Sequence, residues 1–232
     1  MKAFLLAAGF GTRLRPLTDT IPKCMVPIQG KPLLGWWFDL LSAHGISEAL
    51  VNTHYLPDLV RAYIHEYNAR RTGLCVTEFH ESVLLGSGGT VKANRDFVGP
   101  DKAFFICYAD NLTNINLSAM LAYHKSVAGV LTMALFRSGN PEQCGIAELD
   151  AGSRIVSFTE KPVIPKGNLA NAGIYIAGQG LFDRFPDTGF IDFGKDVLPG
   201  LAGSMYGWET SGYLIDIGTP DNYQKAQKEW KK

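Results

Sequence analysis

Residues 5–23 read Leu5-Leu6-Ala7-Ala8-Gly9-Phe10-Gly11-Thr12-Arg13-Leu14-Arg15-Pro16-Leu17-Thr18-Asp19-Thr20-Ile21-Pro22-Lys23: an apolar strand, a glycine-rich turn, then a loop carrying the cations Arg13, Arg15 and Lys23. Small residues at a strand end let the backbone approach a ligand, and successive amide N–H groups can line an anionic pocket. Phosphate is the expected guest. The dinucleotide fingerprint wants a third glycine where Leu14 stands, and Walker A wants a Gly-Lys-Ser/Thr that does not follow. What remains is a loop too long and too basic for a simple strand-to-helix turn. Alone, Gly9-Phe10-Gly11 is better read as a plain turn; with Arg13, Pro16, Pro22, Lys23 and Pro27 it becomes specific.

Outward from this loop, apolar periodicity predicts a helix over 33–41 closed by Gly45, a strand over 48–53, a helix over 56–68 and a strand over 73–80. That βαβαβ order favours an α/β fold with a parallel sheet, whose ligands bind outside the carboxyl ends of the strands. Glu81 to Thr90 then holds a glycine cluster, Gly86, Gly88 and Gly89, ahead of a helical run expected from Val91. Such a cluster either brings backbone against a flat ligand or simply leads into a helix capped by Ser87 or Thr90.

The near-continuous apolar run 103–108 reads as a strand buried on both faces, and Asp110 follows it directly. An acid there is placed to hold a divalent ion against phosphate, or to cap the next turn together with Asn111. A helix over 117–128 and a strand over 130–136 follow. The pattern then changes to a hairpin, 145–150 and 154–160, turning at Ala151-Gly152. Near the end, Tyr213-Leu214-Ile215-Asp216-Ile217-Gly218-Thr219-Pro220 gives an apolar strand, an acid, and a helix start with Thr219 as N-cap and Pro220 in the first turn. One domain spanning 1–232 is expected, in halves 1–137 and 138–232.

The composition suits one well-buried domain: 232 residues, 46% hydrophobic and 19% charged, with 22 basic against 22 acidic side chains. A nucleic-acid binder would show a basic excess, so the basic loop reads as a local site for a small anion. No apolar run approaches membrane-spanning length and the first residues lack signal-peptide regions, so a cytoplasmic protein is expected, monomeric or homodimeric. The four cysteines show no CxxC spacing, which points to no zinc site or thiol pair. Cys75 and Cys107, in strand-like runs, read as small buried hydrophobes.

Residues 6–18, LAAGFGTRLRPLT, and 22–32, PKCMVPIQGKP, together resemble the signature of the sugar-1-phosphate nucleotidyltransferases. The resemblance implies a Rossmann-like three-layer sheet with an added sugar-binding subregion. It also implies Mg2+-dependent transfer of a nucleotidyl group from a nucleoside triphosphate to a sugar 1-phosphate, with pyrophosphate released. By the same resemblance Leu6, Ala8, Gly9, Gly11 and Thr12 contact the nucleotide, as do Arg13 and Lys23. Glu81, Gly86 and Gly88 would meet the base. Asp110 and Asp216 would ligate Mg2+, although Ala109 stands where the family usually has glycine.

On the sugar side the resemblance names Asn111, Gly145, Glu160, Lys161 and Asn171; catalysis would fall to Arg13, Lys23 and Lys161. Read without it, Glu160-Lys161-Pro162 is an exposed ion pair, Asn171 a turn residue and Gly145 a hairpin glycine. The short form, LGSGG, NAGIY and DFGKDVLP are similar to heptose- and mannose-1-phosphate guanylyltransferases. Muramate and other uridylyltransferases, thymidylyltransferases and choline-phosphate cytidylyltransferases share most of these motifs. A noncatalytic sugar-nucleotide sensor is the alternative class; it would be expected to lose a metal acid or a signature cation, and none is missing.

Overall fold

The computed structural model describes residues 1–71 and 73–231. In chain order its elements are β1 (Lys2–Leu6), β2 (Pro27–Ile28), β3 (Lys31–Pro32), α1 (Leu33–Ala43), β4 (Glu48–Thr53), α2 (Pro57–Ala69) and β5 (Cys75–His80). There follow α3 (Gly86–Ala93), α4 (Arg95–Val98), β6 (Ala103–Tyr108), β7 (Asn111–Thr113), α5 (Leu117–Ser126) and β8 (Leu131–Arg137). The chain closes with β9 (Gly145–Leu149), β10 (Ile155–Glu160), β11 (Leu169–Gly178), β12 (Met205–Glu209), β13 (Leu214–Asp216) and α6 (Pro220–Glu229). The expected α/β class is observed. Contacts gather the chain into two compact units, the first made of Met1–Leu84, Cys107–Ile115 and the chain from Gly212, the second of Leu85–Ile106 and Asn116–Ser211.

In the first unit β1, β4 and β5 run parallel, with Lys2 opposite Glu48 and Glu48 opposite Cys75. Helix α1 buries Leu33, Leu34, Trp37, Phe38 and Leu41, a stripe that repeats at helical spacing. Each such side chain contributes roughly 1.5–3 kcal/mol of burial. The helix stops at Gly45, whose φ of +71° only glycine takes easily, and the Ile46 N–H returns to Leu41 O at 3.0 Å. Cys107 is buried as expected, but Cys75 is exposed. It opens β5, the last strand of the sheet, where alternate side chains face outward.

In the second unit β8 lies between β11, antiparallel, and β12, parallel, while β9 and β10 form the expected hairpin. The glycine cluster differs from expectation, because α3 already begins at Gly86. Ile191 explains it. The N–H groups of Gly88 and Gly89 both donate to Ile191 O, and a Cβ on Gly86 would stand 2.4 Å from that oxygen. Neither Ser87 nor Thr90 caps the helix: Ser87 Oγ accepts the Phe193 N–H, and Thr90 Oγ1 donates to Gly86 O. Among the described residues no helix is long and apolar enough to cross a membrane.

Candidate active site

In the first unit the glycine loop leaves β1 and turns at Gly11, whose φ is +64°. Three hydrogen bonds hold its course. Asn52 Oδ1 accepts the Ala7 N–H at 2.6 Å, Thr18 Oγ1 donates to Gly11 O at 2.8 Å, and Tyr55 Oη donates to Thr18 O at 3.1 Å. A Cβ on Gly11 would lie 3.0 Å from Thr18 and 3.2 Å from Lys23, whereas nothing stands within 4 Å of one on Gly9. Leu6 O takes the Ala109 N–H, fixing the turn before Asp110 to the strand end, and Thr12 opens the single helical turn that carries Arg13.

Four predicted residues meet here. Lys23 Nζ donates to Asp110 Oδ2 at 2.8 Å and to Asp216 Oδ1 at 2.6 Å, and Arg13 Nη2 reaches Asp216 Oδ2 at 3.3 Å. The antiparallel pair β7 and β13 sets Asp216 opposite Asn111, next in chain to Asp110. Asn111 O accepts Trp37 Nε1 at 2.8 Å, pinning that ladder to α1. In the sequence Gly218 reads only as part of the helix start. A Cβ there would stand 2.9 Å from both Asp216 Oδ1 and Lys23 Nζ and 3.0 Å from Arg13 Nη2, so the charges converge over a bare backbone. Its own N–H donates to Asp216 Oδ1 at 2.8 Å.

The Lys23 side chain is 10% exposed, the two carboxylates about 40%. Burial acts to lower the Lys23 pKa, but the two carboxylates outweigh it and hold the ammonium above its usual value. Burial likewise acts to raise that of Asp216, but Lys23, the Gly218 N–H and Arg13 hold it below the usual range. Cys24, beside Lys23 in sequence, is pushed up to about 12 by burial and offers no thiolate. Glu81 lies buried in this unit with Asn52 Nδ2 donating to its Oε1 at 2.8 Å. Asn52 thus ties the glycine loop to Glu81, and no motif in the sequence marks it.

The second unit gathers Gly145, Glu160 and Lys161. A Cβ on Gly145 would stand 2.5 Å from Glu160 Oε2, so the hairpin glycine makes room for the carboxylate of the facing strand. Lys161 follows at a φ of +47°, uncommon for a side chain of its kind, with its N–H on Cys144 O at 3.0 Å. Burial raises the Glu160 pKa and Asp192 adds to the rise, against Lys161 and Lys195. Asn171 marks a register shift in β11 around Gly173, φ +69°. Its Oδ1 accepts the Gly173 N–H and its Nδ2 donates to Tyr175 Oη at 2.6 Å. Gly86 and Gly88 also belong to this unit, with the Gly88 N–H committed to Ile191.

A loop of small residues ending in paired cations, and two acids sharing one lysine, are what a phosphate-handling enzyme needs. The nucleotidyl transferase family profile matches residues 2–232, and the chain belongs to that family. Among its relatives, the D-glycero-alpha-D-manno-heptose 1-phosphate guanylyltransferase of Aneurinibacillus thermoaerophilus is 34% identical over 232 residues, covering 99% of this chain and 98% of that one. The mannose-1-phosphate guanylyltransferase catalytic subunit beta of Dictyostelium discoideum is 31% identical over 227 residues, 96% of this chain. The chain spans only 62% of that relative's length.

Among solved structures, HddC from Yersinia pseudotuberculosis complexed with GMP-PN superposes with a TM-score of 0.82 at 26% identity, over 99% of each chain. A UDP-glucose pyrophosphorylase from Acinetobacter baumanii shares the fold, with a TM-score of 0.83 at 20% identity over 97% of this chain and 91% of that one.

Proposed function

We propose that this chain transfers a guanylyl group from GTP to a heptose or mannose 1-phosphate, releasing pyrophosphate. The observation that carries the reading is the meeting of Lys23 with Asp110 and Asp216 in a chain of this family. The guanylyltransferase relatives supply the lean toward GTP. An oxygen of the sugar phosphate attacks the α phosphorus, the bond to the β-phosphate oxygen breaks, and pyrophosphate carries the electron pair away. Both reactants are anions, so repulsion and alignment dominate the barrier, and positioned cations lower it. No protein nucleophile enters.

In this reading Arg13 neutralises the β and γ phosphates, Lys23 the α phosphate and Lys161 the sugar phosphate. The donor set also fits Mg2+. Asp110 and Asp216 present hard carboxylate oxygens to one point, where Lys23 already stands as a cation. Two carboxylates suffice for an ion that takes its remaining ligands from phosphate and water. When bound, Mg2+ would supply charge neutralisation at the phosphate and at the attacking oxygen. The glycine loop and Glu81 would hold the nucleotide, and Gly145, Glu160 and Asn171 the sugar.

A pyrophosphate-release screen of the four nucleoside triphosphates and dTTP against mannose, heptose, glucose and muramate-type 1-phosphates, with phosphocholine included, tests this. Fastest release with GTP and a mannose or heptose 1-phosphate is the expected result. A preference for UTP, dTTP or CTP moves the base assignment. Binding of a nucleotide sugar without release by any pair would mean a sensor.

A further inference from the structure

Strand β4 of the first unit runs out through Asn52-Thr53-His54-Tyr55, none of which has a part in the reaction so far. It lies between β1 and β5, with Asn52 opposite Leu6 on one side and Phe79 on the other. The glycine loop leaves one neighbour and Glu81 follows the other, so side chains at this strand end can touch both. They do. His54 Nδ1 donates to Glu81 O at 2.7 Å, and its ring meets Phe10 of the glycine loop edge-on with centroids 5.4 Å apart. Tyr55 Oη reaches Thr18 O at 3.1 Å and Asp19 O at 3.2 Å, further along the same loop.

Asn52 makes the shortest of these links. Its side chain is buried, its Oδ1 accepts the Ala7 N–H at 2.6 Å, and its Nδ2 donates to Glu81 Oε1 at 2.8 Å. The partners settle which end of the amide is which, because an N–H must meet the oxygen and a carboxylate must meet the nitrogen. Glu81 is only 3% exposed, and a buried carboxylate keeps its place against a donor. A planar amide bonded on both sides cannot swing toward one loop without leaving the other.

Resting on the transfer reading above, we propose that Asn52 is a positioning residue that sets the base end and the phosphate end of the nucleotide site against each other. Its nitrogen holds Glu81 for the base, and its oxygen holds the start of the glycine loop for the triphosphate. The span between the two is fixed by one side chain before the nucleotide arrives. A nucleoside triphosphate then gains from both ends at once, whereas a triphosphate without a base gains from one.

The two arms can be cut separately. Asn52→Asp keeps an oxygen for the Ala7 N–H but turns a second carboxylate on Glu81, so it disables the base arm alone, while Asn52→Leu disables both. Adding Glu81→Gln to Asn52→Asp reverses the pair: the amide introduced at 81 donates to the carboxylate introduced at 52 and still offers an oxygen to the base. GTP and inorganic tripolyphosphate, a probe without a base, are titrated by calorimetry at about pH 8 with Mg2+ present, beside melting temperatures and steady-state pyrophosphate release. Asn52→Asp is expected to bind GTP about tenfold more weakly and tripolyphosphate within about twofold of wild type. Asn52→Leu should weaken each about tenfold, and the double variant should recover GTP to within about threefold. The sugar 1-phosphate KM should stay within about twofold throughout.

Wild-type GTP affinity in Asn52→Asp, an equal loss of GTP and tripolyphosphate in that variant, or a double variant that melts with wild type yet recovers no GTP affinity would each overturn the assignment. Should Asn52→Asp not fold, the double variant decides: the wild-type ratio of GTP to tripolyphosphate affinity supports the role, and a lower ratio sinks it. If the wild type prefers another nucleoside triphosphate, or binds one without releasing pyrophosphate, the transfer reading fails as stated, and the same ratio taken with the preferred nucleotide still decides Asn52. If no nucleoside triphosphate binds, both fall.

Discussion

The two units each hold a charged side chain in a fixed place, by different means. In the first unit the holding force is electrostatic: Lys23 lies between Asp110 and Asp216, and Arg13 closes the far side. In the second it is backbone shape: Lys161 stands at positive φ after β10, and Glu160 occupies space left by Gly145 and Gly194. One device is common to both. An acid lies over a glycine, Asp216 over Gly218 and Glu160 over Gly145. A charge-held site is sensitive to the loss of any one charge, whereas a shape-held site is sensitive to a methyl group.

The largest expected effect tests the charge-held side. Lys23→Met removes the shared cation and leaves two carboxylates facing each other, so pyrophosphate release should fall by about 10²–10³, the usual loss for one preorganised charge stabiliser. The sugar 1-phosphate KM should stay within about twofold. Asp110→Asn should instead raise the Mg2+ concentration needed for half-maximal rate about tenfold. If either variant raised the sugar KM as much as it lowered turnover, the proposed roles of Lys23 and Asp110 would be broken.

Next in size is Lys161→Ala, expected to raise the sugar 1-phosphate KM by about ten- to a hundredfold with the GTP KM and Mg2+ dependence little changed. Lys161→Gly sharpens the point. It loses the same cation but relieves the positive φ, so it should melt higher than Lys161→Ala while binding sugar no better. Equal melting of the two variants would show that backbone strain at this position is unimportant.

Gly11→Ala is a smaller change on the first unit. A φ of +64° costs an alanine about 1–2 kcal/mol, and its methyl would press on Thr18 at 3.0 Å. For a chain of this size that is a Tm lower by roughly 2–8 °C. The GTP KM should rise with it if the loop cradles phosphate, and stay put if the glycine serves only the turn.

These contrasts also explain what could be read in advance. Arg13, Lys23, Asp110 and Asp216 were legible mainly because the stretches that carry them resemble the family's signature, with Asp110 and Asp216 also standing out as acids at the end of apolar runs, and the structure does bring the four together. The ladder that aligns the acids was not, since β7 and β13 are three residues each, too short for any periodicity. The start of α3 was misplaced because glycine propensity argued for a loop, and packing under Ile191 overrode it. Nothing in Glu160-Lys161-Pro162 announces a positive φ, for a residue before proline is ordinarily driven extended. Asn52 had no local signal, being one asparagine at a strand end, and only the fold shows that it lies between Ala7 and Glu81.

The smallest expected effect separates the units by sign. Asp216 has a folded pKa below its ordinary 3.8, so its contribution to stability is present above that value and is lost as pH falls through the folded one. Glu160 has a folded pKa above its ordinary 4.5, because burial and Asp192 disfavour its charge. The folded state therefore holds that proton more tightly, and stability falls as pH rises from 4.5 through the folded value. Lys23, raised above 10.5, contributes in full below that pH and is lost only as the solution passes its folded value. Melting temperatures taken from about pH 2 to pH 7 should thus differ between variants: Asp216→Asn should lose the stability gain that comes as pH rises towards 3.8, and Glu160→Gln should lose the decline that sets in above 4.5. Were both variants to shift the profile in the same direction, the contrast between a charge-held and a shape-held acid would not stand.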